Sequence, residues 1–364
     1  LLWLEVTLYT KDPSANFITI AKQRLGSFGE KTVWVAYLLL LYTISMSYIA
    51  GGGDVLMVLF KAMGIPLSTP VCQTLYTAIF GIVAFRGVHV LDMVNQTLLI
   101  GMLLSYLGLI AVITPNMSID YLKGGEPAFI WSGIPIAVAA FACHFVVPTL
   151  RKNFSTDTSS LKKMLWVGCS VPLMVYIIYQ LLIILALPFE GKDGLRAISA
   201  TAAPLGGLIE ALGSGGRVLP ILISTFSNCA LLTSFLGVVI ALSDFLQDGL
   251  SIDDNNPFKT LITSVITLGP PLLFAFMVPR GSPGFIIALD FSGLLVSFLF
   301  GVLLVIMAWQ ARYRAHLQCA YVLPGGKPAL LFLGLLSLGV MITVIGNNYD
   351  LLPSARNSVA ADIN

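Results

Sequence analysis

Long runs of apolar residues are the feature that most constrains how this chain folds. A helix that crosses the hydrocarbon core of a bilayer needs about 20 such residues. Behind an apolar stretch at the N-terminus, nine runs meet this requirement, at 31–50, 69–86, 92–114, 128–150, 163–188, 218–243, 258–279, 283–310 and 327–347. Only 10% of the residues are charged, against roughly 25% in soluble domains. The pattern predicts an all-α polytopic membrane protein.

Short connections rich in turn-forming residues separate the runs. Examples are "GGGD" (51–54), "GEP" (125–127), "DDNNP" (253–257) and "PRGSPG" (279–284). The longest connection, 189–217, holds the apolar stretch "PLGGLIEAL", for which we expect a short helix. Because no soluble domain is evident, we expect residues 1–364 to form a single transmembrane domain.

Charge and cysteine content exclude several classes of partner. A net charge of +2 lacks the basic excess that nucleic-acid binding requires. The five cysteines are isolated, so the spacing favours neither a disulfide framework nor a zinc site, and we expect no cofactor. Thirteen of the 20 Lys and Arg residues fall on one side if the N-terminal stretch ends in the cytoplasm, which predicts an external C-terminus.

A histidine lies inside the predicted span 128–150, in "AFACHFVVPTL" (140–150). Ionisable groups at membrane depth are costly and are functional hypotheses by default. Pro148 removes the N–H that would bond the carbonyl of His144, so we expect a helix break over 141–147. The alternative is a histidine that only packs between helices.

Two acidic residues also fall within apolar runs. Glu5 either extends to the membrane surface or is buried, where it takes up a proton or pairs with another helix. Asp290 lies near the outer end of its run, and we expect it in a solvated vestibule.

A further polar group occurs in "FSNCALLTSFLG" (226–237). The hydroxyls of Thr233 and Ser234, with the carbonyl of Ala230 one turn earlier, are suited to a small hard cation such as sodium. The alternative is bonding of these hydroxyls to their own helix, which is common in membrane helices.

Several motifs in order along the chain are typical of one family. They are "LLWLEV" (1–6), "HFVVP" (144–148), "VPLMVYIIYQ" (171–180), "FSNCALLTSFLGVVIALSDFLQD" (226–248), "GPPLLFAFMVPRG" (269–281), "GGKPAL" (325–330) and "LLP" (351–353). The chain resembles the aromatic amino acid permeases, the tyrosine- and tryptophan-specific transporters of the hydroxy and aromatic amino acid permease family.

The resemblance implies a leucine-transporter-like fold, with spans 1–5 and 6–10 as inverted repeats and one further helix. The N-terminal stretch is then span 2, the His144 segment span 6 and the Thr233 segment span 8, and span 1 is missing from this chain. The resemblance also implies a monomeric protein of the bacterial inner membrane that imports an aromatic amino acid, with tyrosine favoured over tryptophan or phenylalanine.

The expected substrate-binding residues come from the break, from one face of span 3 and from span 8: Phe141, Ala142, Cys143, His144, Phe145, Tyr42, Met46 and Asn228. The family tends to have "FGFHG" around the histidine, where this chain has Ala142 and Phe145, and the bulkier Phe145 narrows the pocket. For Tyr42 and Met46, packing between helices is an equal alternative.

The coupling ion is expected to be a proton, with Glu5 and His144 as the titrating groups. Sodium is the alternative, bound by Ala230, Thr233 and Ser234. Two other functions are weighed. One is a serine or threonine permease of the same broad family. The other is a membrane-embedded enzyme that acts on prenyl diphosphates with magnesium held by Asp244, Asp248, Asp253 and Asp254. The spacing of these residues does not give the repeated DxxxD pairs on two facing helices that such an enzyme needs.

Overall fold

The computed structural model describes residues 1–352, apart from 11, 13–14, 87, 124–126, 143, 145, 155–156, 192–193, 200, 202–203, 214–217, 251–256, 279–283 and 350. Throughout the described residues the regular structure is helical, without any β-strand. The all-α prediction is confirmed for this part of the chain.

The helices follow in the order α1 (Leu2–Leu8), α2 (Phe17–Ala62), α3 (Thr69–Phe85), α4 (Val88–Ile113), α5 (Ile130–Ala140), α6 (Val146–Asn153), α7 (Thr158–Ala186), α8 (Leu195–Ser199), α9 (Pro204–Gly213), α10 (Val218–Leu250), α11 (Pro257–Met277), α12 (Gly284–Val296), α13 (Leu304–Trp309) and α14 (Gly326–Asn348). Two π-helical segments, Ser297–Leu303 and Gln310–Arg314, flank α13 and make one continuous helical run from Gly284 to Arg314. The short helix expected within 189–217 is confirmed as α9.

Each of the nine predicted spans coincides with helix, so the chain is a multi-pass membrane protein. Six described helices are long and apolar enough to cross a bilayer: Phe17–Lys61, His89–Ile113, Thr158–Ala186, Val218–Leu250, Gly284–Arg314 and Gly326–Asn348. The other three, Thr69–Phe85, Ile130–Ala140 and Leu261–Met277, are shorter apolar helices. The helix break expected near His144 is also present, since α5 ends at Ala140 and α6 begins at Val146.

The prediction of a connection at 51–54 is wrong, because α2 continues through "GGGD" to Ala62. The glycines serve close packing instead of a turn. A Cβ at Gly52 would lie 2.2 Å from the ring of Tyr76, and one at Gly53 would lie 2.5 Å from Cγ of Gln73. Small residues let helix backbones approach in this way in membranes.

The chain divides into two compact units. The first comprises Leu1–Leu40, Ile130–Ile178 and Asp290–Leu352, and the second comprises Leu41–Phe129 and Tyr179–Leu289 in the described part. In the second unit, one apolar cluster surrounds Tyr76 and Phe235, and another surrounds Leu109 and Ile223. In the first, Trp3 packs against Phe17 with ring centroids 4.8 Å apart.

Candidate functional site

Glu5 on α1 is fully buried, and its carboxylate is paired with Arg312. The guanidinium donates from Nε to Oε1 over 2.6 Å and from Nη2 to Oε2. The hydroxyl of Tyr9 donates to Oε1 over 2.9 Å, and the N–H of Leu323 donates to Oε2 over 2.8 Å. Extension of Glu5 to the membrane surface is therefore wrong, and pairing with another helix is confirmed. A proton-coupling role for Glu5 stays a prediction.

A second arginine binds the C-terminal end of the same helix. Arg151 on α6 is buried, and its Nη1 and Nη2 donate to the carbonyls of Thr7 and Thr10. The last carbonyls of a helix have no partner within the helix, and they carry partial negative charge. Thr7 lies in the last turn of α1 and Thr10 lies two residues beyond it, so Arg151 stabilises the C-terminal end of α1 by a second contact besides that at Glu5.

The break between α5 and α6 is also joined to α1. The indole Nε1 of Trp3 donates to the carbonyl of His144 over 2.9 Å. This is the carbonyl that Pro148 leaves without a helical donor. An unpaired carbonyl at this depth would cost several kcal/mol, so the indole stabilises the interrupted backbone.

The imidazole of His144 lies against an aromatic ring. It stacks on Phe300 with ring centroids 4.4 Å apart and an interplanar angle of 14°. Its Nδ1 is buried, and no described residue hydrogen-bonds to it. The break therefore combines a buried polar ring atom and an apolar ring surface.

The backbone N–H groups of Phe141 and Ala142, the two described residues before His144, are both paired. The N–H groups of Phe141 and Ala142 donate to the carbonyls of Val138 and Ala139, over 3.3 and 3.1 Å. These amides are therefore not free, because they close the last turn of α5. The Phe141 ring is half-buried and contacts Tyr176 edge to face, with centroids 5.4 Å apart.

Cys143 and Phe145 complete the predicted substrate contacts at this break, and both lie outside the described residues.

Tyr42 and Met46 are both buried on α2, within the second unit. The Tyr42 hydroxyl donates to the carbonyl of Ile266 on α11 over 2.9 Å, and its ring contacts Phe274. Met46 belongs to the apolar cluster around Phe235. These contacts are those of the packing alternative, and a substrate role for the two residues stays a prediction.

Two polar residues of α10, Asn228 and Thr233, bond to their own helix. Asn228 donates from Nδ2 to the carbonyl of Ser224 over 2.9 Å. Thr233 donates from Oγ1 to the carbonyl of Ala230 over 3.1 Å. Two of the three oxygens proposed for sodium thus lie within one hydrogen bond of each other, and Ser234 follows in the same turn. Coordination of an ion by this group stays a prediction.

Asp290 is not the solvated vestibule residue that its position predicted. Its exposed fraction is only 9%. Three residues further along α12, a Cβ at Gly293 would lie 2.2 Å from the carbonyl oxygen of Pro135, so α5 packs directly against this part of α12. Protein covers the segment in place of water.

Sequence reasoning missed one buried acid, Asp54, which is 4% exposed on α2. The preceding glycines led to its assignment to a connection. The apolar stretch "VLMVLF" (55–60) that follows it was the signal for a continuing helix.

The sequence matches the model of the tryptophan/tyrosine permease family over residues 1–345. It is 32% identical to tyrosine-specific transport system 1 of Haemophilus influenzae, over 94% of this chain and 84% of that protein. It is 28% identical to the tryptophan-specific transport protein of Pseudomonas aeruginosa, over 94% and 82%. It is also 28% identical to tyrosine-specific transport system 2 of Haemophilus influenzae, over 95% and 84%. The chain belongs to the tryptophan/tyrosine permease family.

Proposed function

We propose that the protein is a secondary active symporter that imports an aromatic amino acid, with tyrosine preferred, across the bacterial cytoplasmic membrane. The family match over residues 1–345 carries the proposal, and a tyrosine-specific relative at 32% identity supports the substrate. The wider architecture follows the resemblance: a monomer with a leucine-transporter-like inverted repeat and an external C-terminus.

The break at His144 is the part of the site that the described residues support best. In this proposal a substrate side chain contacts the rings of His144 and Phe300, and a polar group of the ligand bonds to Nδ1 of His144. The stacking of the two rings and the lack of a described hydrogen-bond partner at Nδ1 support this assignment. A phenol hydroxyl meets that requirement, which is why we favour tyrosine over phenylalanine. Cys143, Phe145, Tyr42, Met46 and Asn228 remain proposed contacts.

We propose a proton as the coupling ion and keep sodium as the alternative. Of the two titrating groups expected from the sequence, Glu5 accepts four hydrogen bonds, two of them from Arg312. His144 has no such partner at Nδ1 among the described residues. Sodium at Ala230, Thr233 and Ser234 would need no titrating group at all.

The two rival functions receive less support. A serine or threonine permease would want a smaller and more polar pocket than one lined by Phe300 and Phe141. A prenyl diphosphate enzyme would need clustered acids at a membrane surface. Asp244 and Asp248 are exposed on α10, and Asp253 and Asp254 lie outside the described residues.

Uptake by the full-length protein in reconstituted vesicles tests the proposal. Radiolabelled tyrosine should accumulate under an imposed proton gradient, and unlabelled tryptophan or phenylalanine should compete better than serine. If serine or threonine competes best while aromatic amino acids have no effect, the substrate is misassigned.

The role of His144 is tested by His144→Ala with His89→Ala as the matched control, since His89 is exposed. We expect the first variant to lose most uptake at normal expression and thermal stability, and the second to keep it. Wild-type uptake by His144→Ala would show that this histidine only packs between helices.

A further inference from the structure

Asp54 is a buried carboxylic acid within a membrane-spanning helix. It exposes 4% of its surface and lies seven residues before Lys61, or about 10 Å along the helix axis. Its position is therefore about two turns inside the end of α2.

The close contacts of the glycines before it explain why this part of α2 is buried. Gly52 lies against the ring of Tyr76 and Gly53 against Gln73, so α3 packs directly on the α2 backbone. Gly51 is covered from another side, where a Cβ would lie 2.9 Å from the ring of Phe285. The carboxyl group is thus held where protein packs closely.

The described surroundings of Asp54 provide no compensating charge. Among the residues that the structure describes, none forms an ion pair or a hydrogen bond with its carboxyl group. The nearest cation along α2, Lys61, pairs with Glu210 over 2.8 Å. In the described part of the chain, the elements packed on this segment contribute two titratable groups, the thiol of Cys72 near the carboxyl and the phenol of Tyr76 on Gly52. The neutral groups of Gln73, Leu205 and Phe285 also lie against it.

Glu5 shows what an anion at comparable burial requires in this protein. It has a bidentate arginine and two further donors, whereas Asp54 has none of these. A buried carboxylate without partners costs several kcal/mol, and the neutral acid avoids most of that cost. We therefore expect Asp54 to carry a proton while it is buried and to be ionised only when water reaches it.

We propose that Asp54 binds the proton that is transported together with the amino acid. The carboxylate takes a proton from water on one side of the membrane. Asp54 then stays neutral while the loaded transporter changes from one open side to the other, and it releases the proton when the opposite side opens. This inference rests on the proposed proton-coupled symport.

The test compares Asp54→Asn with wild type and with Asp248→Asn, a matched change at an exposed aspartate. Two transport modes are measured in vesicles: accumulation of labelled tyrosine driven by a proton gradient, and exchange of internal for external tyrosine without a gradient. Exchange needs no release of the proton, because the transporter changes sides in both directions with an amino acid and the proton bound. We expect Asp54→Asn to lose accumulation, with the internal concentration reaching only the external one, and to keep exchange. Asp248→Asn should keep both modes.

Infrared spectroscopy gives a readout that does not depend on transport. The wild-type spectrum minus that of Asp54→Asn, at neutral pH, should show the carbonyl stretch of a protonated carboxylic acid. If the variant fails to fold, Asp54→Glu takes its place, and the difference spectrum should show the same band shifted.

Three outcomes would overturn the assignment. One is wild-type accumulation by Asp54→Asn, and another is a difference spectrum that shows an ionised carboxylate or no acid band. The third is loss of exchange together with accumulation in a variant of normal thermal stability, because that indicates a role in substrate binding. The proposed function fails separately, if wild-type protein does not take up tyrosine or does so only with a sodium gradient.

Discussion

Replacing Arg312 by methionine should be among the most destabilising single changes in this protein. The pair it forms with Glu5 is almost completely buried, with side-chain exposures of 6% and 0%. Methionine fills most of the volume of the arginine stem but removes both hydrogen bonds to the carboxylate. Charge-assisted hydrogen bonds contribute about 1.5–3 kcal/mol each. Breaking a buried pair at one partner typically costs about 3–5 kcal/mol, and we expect a loss in that range.

The surface pair of Lys61 and Glu210 is the matched control. Its N–O distance is 2.8 Å, but the side chains are 68% and 57% exposed. Exposed pairs contribute little, so Lys61→Met should leave stability almost unchanged. The assay is the free energy of unfolding of the purified protein in mixed micelles.

Combining Arg312→Met with Glu5→Gln separates the cost of an unpaired charge from the value of the pair. Because the double variant leaves no buried charge, it should be less destabilised than the sum of the single variants by about 2 kcal/mol. Equal losses for Arg312→Met and Lys61→Met, or strict additivity in the double variant, would refute the reasoning from burial.

Three further variants test other contacts. Trp3→Phe keeps an aromatic ring but removes the donor to the carbonyl of His144, so it should cost about 1–3 kcal/mol in unfolding free energy; an unchanged value would show that the carbonyl finds another partner. Gly52→Val places side-chain carbon where the ring of Tyr76 lies, and overpacking of this kind costs about 1–3 kcal/mol. Thermal unfolding measures the loss. Gly237→Val is the control, since a Cβ at that position meets nothing within 4 Å. Thr233→Ala should leave uptake driven by a proton gradient intact, and loss of sodium-driven accumulation in this variant alone would favour the sodium alternative.

Local patterns were sufficient to predict most of the helical framework. Apolar runs gave the positions of the spans, and Pro148 together with His144 indicated the break between α5 and α6. The rule that failed was the assignment of glycine-rich segments to turns, because at 51–54 the glycines serve contact with α3 instead.

The partners of the buried polar groups could not be predicted in the same way. Glu5 and Arg312 are 307 residues apart in sequence, and Trp3 and the carbonyl of His144 are 141 apart. A single sequence shows which groups are costly to bury, but it does not show which distant group will pair with each of them. For that reason Glu5 remained ambiguous. Asp54 was overlooked for a different reason, because the glycines before it were assigned to a connection.

The two π-helical segments beside α13 determine which residues of this helix meet α1. Phe300 lies in the first segment and contacts Trp3, and Arg312 lies in the second and binds Glu5. In an uninterrupted α-helix, two residues twelve positions apart point about 120° away from each other. A π turn holds more residues than an α turn, so each segment turns the helix back by a fraction of that angle. If the same residues formed an uninterrupted α-helix, the full 120° would separate Phe300 from Arg312, and the two would no longer face α1 together.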